Sequence, residues 1–222
     1  MDFVAHMKYE LPTPSQLFTP VTTTLLVLCV VGFGLMTYVG EWATAWLVLD
    51  PHYMIRGRIW TLLTYPFMQS CIWWLVTDCF ILLLIGSAVE REWRSRSVVT
   101  LWLVVTVICG LLWTLVCLVL GKRYFMGGPA PGCFGLIAAF GLLYQGRRFL
   151  WLLVTVEAQT FAWILIGIGC IFCIPVPINL LTVLGGPLAY GYMKLLWWWS
   201  AQEQDRAAGG GDYRPSGFVD ID

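Results

Sequence analysis

The sequence predicts an all-α membrane protein, a bundle of six transmembrane helices with a short fourth helix. Three observations carry this prediction. Of 222 residues, 59% are apolar and only 12% charged, where soluble domains average about a quarter charged; the mean hydropathy is +0.77. Charge-free stretches recur that reach the roughly 20 residues a helix needs to cross a bilayer core of about 30 Å. A pair of prolines, Pro129 and Pro131, then shortens one of those stretches. The 13 Lys and Arg balance the 13 Asp and Glu, and no basic cluster of phosphate-binding size occurs, so a nucleic-acid partner is excluded.

Taken in order, residues 1–20 form an N-terminal segment, 21–200 the membrane domain and 201–222 a tail. Leu11 to Gly40 carries no charge and holds a first span near 21–40. Ala43-Thr44-Ala45 has the look of a signal cleavage site, but the apolar run before it exceeds the roughly 7 to 15 residues of a signal peptide, so an uncleaved anchor is expected. From Glu41 to Trp60, apolar Trp42, Trp46, Leu49 and Met54 alternate with polar residues, which suits a segment lying in the membrane interface. The second span, near 70–89, is interrupted only by Asp78, and the third, near 98–120, by no charge at all. A fourth follows near 132–146, a fifth near 149–173 and a sixth near 178–199, the last two separated by Pro175 and Pro177. The tail, with Gly209-Gly210-Gly211 and Pro215, reads as a flexible segment.

Orientation follows from Lys and Arg, which are in excess in cytoplasmic loops. An inside N-terminus places Lys8, Arg91, Arg94, Arg96, Arg147, Arg148, Lys194, Arg206 and Arg214 in the cytoplasm against Arg56, Arg58, Lys122 and Arg123 outside. Nine against four puts both termini in the cytoplasm, and a bacterial inner membrane is the expected location of this multi-pass protein.

The fourth helix cannot run through Pro129 and Pro131 and is expected to begin at about Gly132. About 15 residues then span only about 22 Å. Residues 124–131 would descend to meet it, and irregular backbone at that depth needs cover from protein or a water-filled cavity. A submerged helix N-terminus beneath a cavity open to the outside suits a developing oxyanion. A tilted helix without chemistry is the alternative.

Here the residues resemble the rhomboid intramembrane serine proteases. The resemblance rests on Trp60-Thr61-Leu62-Leu63-Thr64 in the first outer loop and on Gly86-Ser87-Ala88-Val89-Glu90, followed by Arg91, closing the second span. It continues in Gly132-Cys133-Phe134-Gly135 opening the short helix, and in Val183-Leu184-Gly185-Gly186 with Ala189 and Gly191 in the sixth span. It covers about residues 55 to 196 and implies a rhomboid-like bundle. By resemblance the nucleophilic Ser falls at Phe134 and its His base at Val183, so both halves of the dyad are missing. The positions that assist the oxyanion in the family hold Trp74 and Asp78, and the family's Glu that ties loop to helix matches Glu90.

The same conclusion follows from the residues alone. A Ser or Cys nucleophile needs a base within hydrogen-bond reach, and the only histidines, His6 and His52, lie outside every span. No catalytic residue is assigned. Cys133, beside the vacated position at a helix N-terminus, is the one alternative nucleophile. Asp78 is the leading candidate for a functional polar residue, because an ionisable group within a span costs at least about 2.5 kcal/mol and faces a cavity or a partner; a bond to Thr77 or Ser70 is its structural alternative. Glu157 is expected to pair with Arg147 or Arg148. Cys170-x-x-Cys173 lacks the further ligands of a zinc site, and neither metal nor cofactor is expected.

The resulting expectation is a rhomboid-like protein without peptidase activity that binds transmembrane helices of other membrane proteins within the lipid bilayer. Asp78, Trp74, Gly132 and Gly135 would line the cavity, reached between the second and fifth helices. Trp60, Glu90, Arg91, Gly185 and Gly186 would serve structure. The alternatives are an intramembrane endopeptidase using Cys133, and a passive scaffold or small transporter.

Overall fold

The computed structural model describes residues 18–151, 154–173 and 177–207. Most of them are helical. Six longer helices are α1 (Pro20–Tyr38), α2 (Ile72–Glu92), α3 (Ser95–Val119), α4 (Ala130–Leu143), α5 (Ala158–Cys173) and α6 (Gly185–Ala207). Of these, α1, α2 and α3 are long and apolar enough to cross a membrane, whereas α4 and α5 are apolar but shorter. Their 14 and 16 residues rise only about 21 and 24 Å.

Local chemistry explains the boundaries. Pro20 opens α1, where its missing N–H costs nothing. Thr19, the N-cap, makes no capping bond to its own helix. Glu90 caps it from the end of α2 instead, accepting from Val21 N (3.0 Å), Thr22 N (2.9 Å), Thr22 Oγ1 (2.9 Å) and Thr19 Oγ1 (2.5 Å). It also accepts from Ser95 Oγ (2.8 Å), so one carboxylate joins the starts of α1 and α3. A five-residue π-helical stretch, Leu82–Gly86, interrupts α2 one turn after Asp78, and Gly86 lies against the Thr22 side chain. Along α3, Val98, Leu101, Trp102, Val105, Cys109, Trp113 and Cys117 are buried, the three-and-four spacing of one core-facing stripe.

The short helix α4 is the centre of the molecule, packed by α3, α5 and α6, with the π-helical part of α2 closing its remaining side. Ten of its 14 residues are buried, among them Gly132, Cys133, Gly135, Leu136 and Ile137. A helix apolar on all sides is a core helix, and small residues let neighbours come close. The ring of Trp102 lies where a Cβ on Gly132 would stand 2.5 Å away, and the Pro131 carbonyl oxygen would be 2.1 Å from a Cβ on Gly185. At Gly135 the nearest neighbours are Val105 and Ala189, and Gly186 faces Ile166. Gly191, expected in the same seam, has nothing within 4 Å of its Cβ position.

Several boundaries differ from those expected. Helix α4 starts at Ala130, two residues early, because Pro131 falls in its first turn, where proline is tolerated. A helix expected over 149–173 starts at Ala158. Ahead of it, β1 (Arg148–Trp151) and β2 (Val154–Glu157) pair antiparallel, with Arg148 opposite Glu157. The physical reason is local: Val154-Thr155-Val156 is β-branched throughout, and Phe149 and Trp151 also favour strands. The sixth helix, expected over 178–199, is broken; a turn over Leu180–Val183 precedes α6. Helix α6 continues to Ala207, so 201–207 belongs to a helix rather than to a flexible tail. Residues 1–17 of the N-terminal segment and 208–222 of the tail lie outside the described residues.

Between α1 and α2 the chain folds over one end of the bundle as Glu41–Leu47, Pro51–Met54, Thr61–Thr64 and a 3-10 turn, Tyr65–Phe67. Buried Tyr65 donates through its hydroxyl to the Thr106 carbonyl (2.6 Å) and anchors this segment to α3. Trp60 donates its indole N–H to the Trp46 carbonyl (3.0 Å) and stacks on Trp46, with ring centroids 6.3 Å apart. At the opposite end, Arg147 pairs with Glu92 (3.2 Å), not with Glu157. Glu157 accepts from the backbone N of Gly146 (3.3 Å), because the strand pair turns it back toward that corner.

Candidate functional site

The candidate site lies where the loop before α4 meets the start of α2. This loop is pinned at three points. Leu49 and Met126 exchange backbone hydrogen bonds (3.0 and 2.9 Å), Gly128 N donates to the Tyr65 carbonyl (2.9 Å), and the Trp113 indole donates to the Tyr124 carbonyl (3.2 Å). Gly127 passes so close to Met68 that a Cβ there would stand 2.6 Å from its carbonyl oxygen. Gly128 has φ +104°, a conformation that demands glycine, and the Gln69 amide lies 2.9 Å from its Cβ position.

Beneath the loop, Gln69 Nε2 donates to Asp78 Oδ2 (3.1 Å). The Cys133 thiol lies beside the same carboxyl group. Asp78 keeps only 5% of its exposure and Cys133 2%. The cavity expected to open outward over the α4 N-terminus is therefore roofed by packed loop at these two residues. Asp78 bonds neither Thr77 nor Ser70: Thr77 Oγ1 turns back to the Trp73 carbonyl, and Ser70 is reached only through its backbone N by Gln69. A polar residue in the buried part of a span takes a partner that the neighbouring chain holds in place, and here that is the Gln69 amide just ahead of the same helix.

Chemically this is an amide–carboxyl pair beside an enclosed thiol rather than an exposed nucleophile and base. No imidazole is near: His52 is exposed in the segment over the bundle end, its backbone N bonded to Asp50 (2.9 Å), and His6 lies outside the described residues.

The two positions matched to the rhomboid dyad are not brought together as a polar pair. Phe134 turns toward α5, where a Cβ on Gly169 would meet its ring at 2.3 Å. Val183 is buried in the turn before α6. Trp74, 48% exposed on α2, meets Phe172 of α5 edge to face, with centroids 5.8 Å apart and planes at 90°. Glu90 joins α1, α2 and α3 as described, beside exposed Arg91.

Gln69 is the site residue that the sequence reading passed over. Its signal was present: an amide in an otherwise apolar run, nine residues ahead of the only charge in the second span.

No curated protein matches this chain. A family model described as eukaryotic integral membrane protein matches residues 21–198, which take in every long helix almost to the end of α6. The eukaryotic description leaves the expected bacterial inner membrane without support. With this match running over most of its length, the chain belongs to the eukaryotic integral membrane protein family DUF1751.

Proposed function

We propose that this integral membrane protein adopts a six-span, rhomboid-like bundle, lacks peptidase activity and binds transmembrane segments of other membrane proteins. The observation that carries the reading is the content of the site: phenylalanine and valine stand at the dyad positions, and the Cys133 thiol is buried beside Asp78. A segment enters between α2 and α5 by displacing the Trp74–Phe172 contact, a single pair of rings. Such an edge-to-face pair contributes about 0.5–1.5 kcal/mol beyond its buried area, a barrier that an incoming helix can offset with its own contacts. Once inside, a segment with polar or helix-breaking residues meets Asp78 and Gln69, whose hydrogen bonds reward polarity that lipid would penalise. Both termini face the cytoplasm, in keeping with the excess of Lys and Arg on that side.

The test is site-directed photocrosslinking of the full chain in proteoliposomes containing a transmembrane peptide with a central Gly-Pro pair. Probes at positions 74 and 172 are expected to capture intact peptide, and a probe at Leu115 on α3 is not. Equal capture at all three positions would indicate a passive scaffold. Peptide cleavage that disappears in Cys133→Ala would establish the endopeptidase reading instead.

A further inference from the structure

A second hollow lies on the end of the bundle covered by the segment between α1 and α2, against the outer part of the loop before α4. It measures about 470 Å³ and is walled by Glu41, Asp50, Tyr53, Arg123 and Phe125, among others. That volume is within the usual range for small-molecule sites, about 300 to 1,000 Å³.

Its two kinds of charge are not equally engaged. Asp50 is spent within the wall: Oδ2 accepts from Arg123 Nε (3.0 Å) and Nη2 (2.5 Å), Oδ1 accepts from His52 N, and the side chain is 4% exposed. Arg123 is half exposed all the same. Two of its nitrogens bind a single oxygen, which leaves N–H groups of its five-donor fork for another anion. Glu41, in the first turn of its helix, is exposed and has no ion pair among the described residues. Tyr53 already carries the guanidinium groups of Arg58 (4.3 Å) and Arg123 (5.0 Å) against its ring. The hollow thus offers one uncommitted carboxylate and one partly committed guanidinium.

A simple anion here would meet Glu41, and a simple cation would meet Arg123. A ligand bearing both charges satisfies both walls. Depth selects which one. The apolar helix α1 ends at Tyr38, and the hollow opens at Gly40 and Glu41. Exposed Trp42, Trp46, Trp60 and Phe125 lie in the same segments, as aromatic residues do at the level of lipid headgroups. We propose that this hollow seats the headgroup of a zwitterionic phospholipid, with its phosphate on Arg123 and its ammonium on Glu41.

The experiment is native mass spectrometry of the full chain, purified in detergent and equilibrated with phosphatidylethanolamine, phosphatidylglycerol or water-soluble glycerophosphoethanolamine. Retention of phosphatidylethanolamine is expected to exceed that of phosphatidylglycerol about tenfold, equivalent to about 1.4 kcal/mol. In Glu41→Gln that preference is expected to disappear while the melting temperature stays at the wild-type value, since the Glu41 side chain has no hydrogen bond or ion pair among the described residues. Glu203→Gln, an exposed charge change near the far end of α6, is expected to retain the preference. Equal retention of both lipids by the wild type would overturn the proposal, as would an unchanged preference in Glu41→Gln or an equal loss in Glu203→Gln. Displacement of the lipid by glycerophosphoethanolamine at equal concentration would assign the hollow to a soluble phosphodiester and overturn the lipid reading.

Discussion

Replacing Gly185 by alanine tests the close approach of α6 to the first turn of α4. The new Cβ would stand 2.1 Å from the Pro131 carbonyl oxygen and 2.9 Å from its carbon. Carbon–oxygen contacts settle at about 3.3 Å or more, so α6 and the first turn of α4 must part by about 1 Å. Pro131 has nowhere to go, because its ring fixes φ and the next residue, Gly132, is pressed against the Trp102 indole. Forcing extra volume into a packed core costs about 1–3 kcal/mol, and a backbone neighbour on both sides places this case toward the upper end. The helix-propensity gain of alanine over glycine, about 0.8–1.0 kcal/mol, offsets part of it, leaving a net loss of about 2 kcal/mol. For a chain of this length that lowers the midpoint by about 4–8 °C. The assay is thermal unfolding of the full chain in detergent, followed by tryptophan fluorescence. Gly191→Ala on the same helix is the control: nothing lies within 4 Å of its Cβ, and it is expected to hold or raise the midpoint. If Gly185→Ala melts at or above the wild type, or if the two variants shift together, the packing of α6 on α4 described above is wrong.

Glu90→Ala leaves Val21 N, Thr22 N and the Thr19, Thr22 and Ser95 hydroxyls without their acceptor; a loss of about 3 kcal/mol is expected, visible in the same melting assay, whereas Ser95→Ala removes one bond and costs about 1 kcal/mol. Arg123→Ala strands the buried Asp50 carboxylate and should lower the melting midpoint, with recovery when Asp50→Asn is added; an additive double variant would show that the pair is not coupled. A membrane-permeant maleimide is expected to spare Cys133 in the folded chain and label it only after unfolding, read by peptide mass spectrometry, and fast labelling of the native protein would contradict its burial. Gln69→Leu removes the amide that holds Asp78 and should lower the melting midpoint, while Gln69→Asn, too short to keep the contact from the same backbone position, should do the same.

Short-range chemistry was the legible part of this sequence. The charge-free runs marked α1, α2 and α3, and two prolines marked the start of α4 to within two residues, because chain stiffness and lipid intolerance of charge act locally. The strand pair over 148–157 was missed for the complementary reason. Its apolar residues satisfy a helix and a strand equally well in hydropathy, and the β-branched run at Val154 decides only once Arg148 and Glu157 are opposite one another. Glu157 and Arg147 shared a neighbourhood in the sequence, yet Arg147 turned to Glu92, 55 residues away. Gly185 and Gly191 look alike in the sequence, and one is crushed against a carbonyl while the other faces open space.

By itself the amino-acid order determined that this is a helical membrane protein with a helix too short for the bilayer, and with phenylalanine and valine at 134 and 183, the positions that the resemblance to rhomboid proteases matches to their dyad. Only the tertiary structure decided that Gln69 bonds Asp78 beside the buried Cys133, that Glu90 caps a helix begun some seventy residues earlier, and that Glu41 and Arg123 flank one hollow. The physical reason is range: hydropathy and backbone stereochemistry act within a few residues of one another, whereas a hydrogen bond between side chains exists only after packing has brought distant segments within 3 Å.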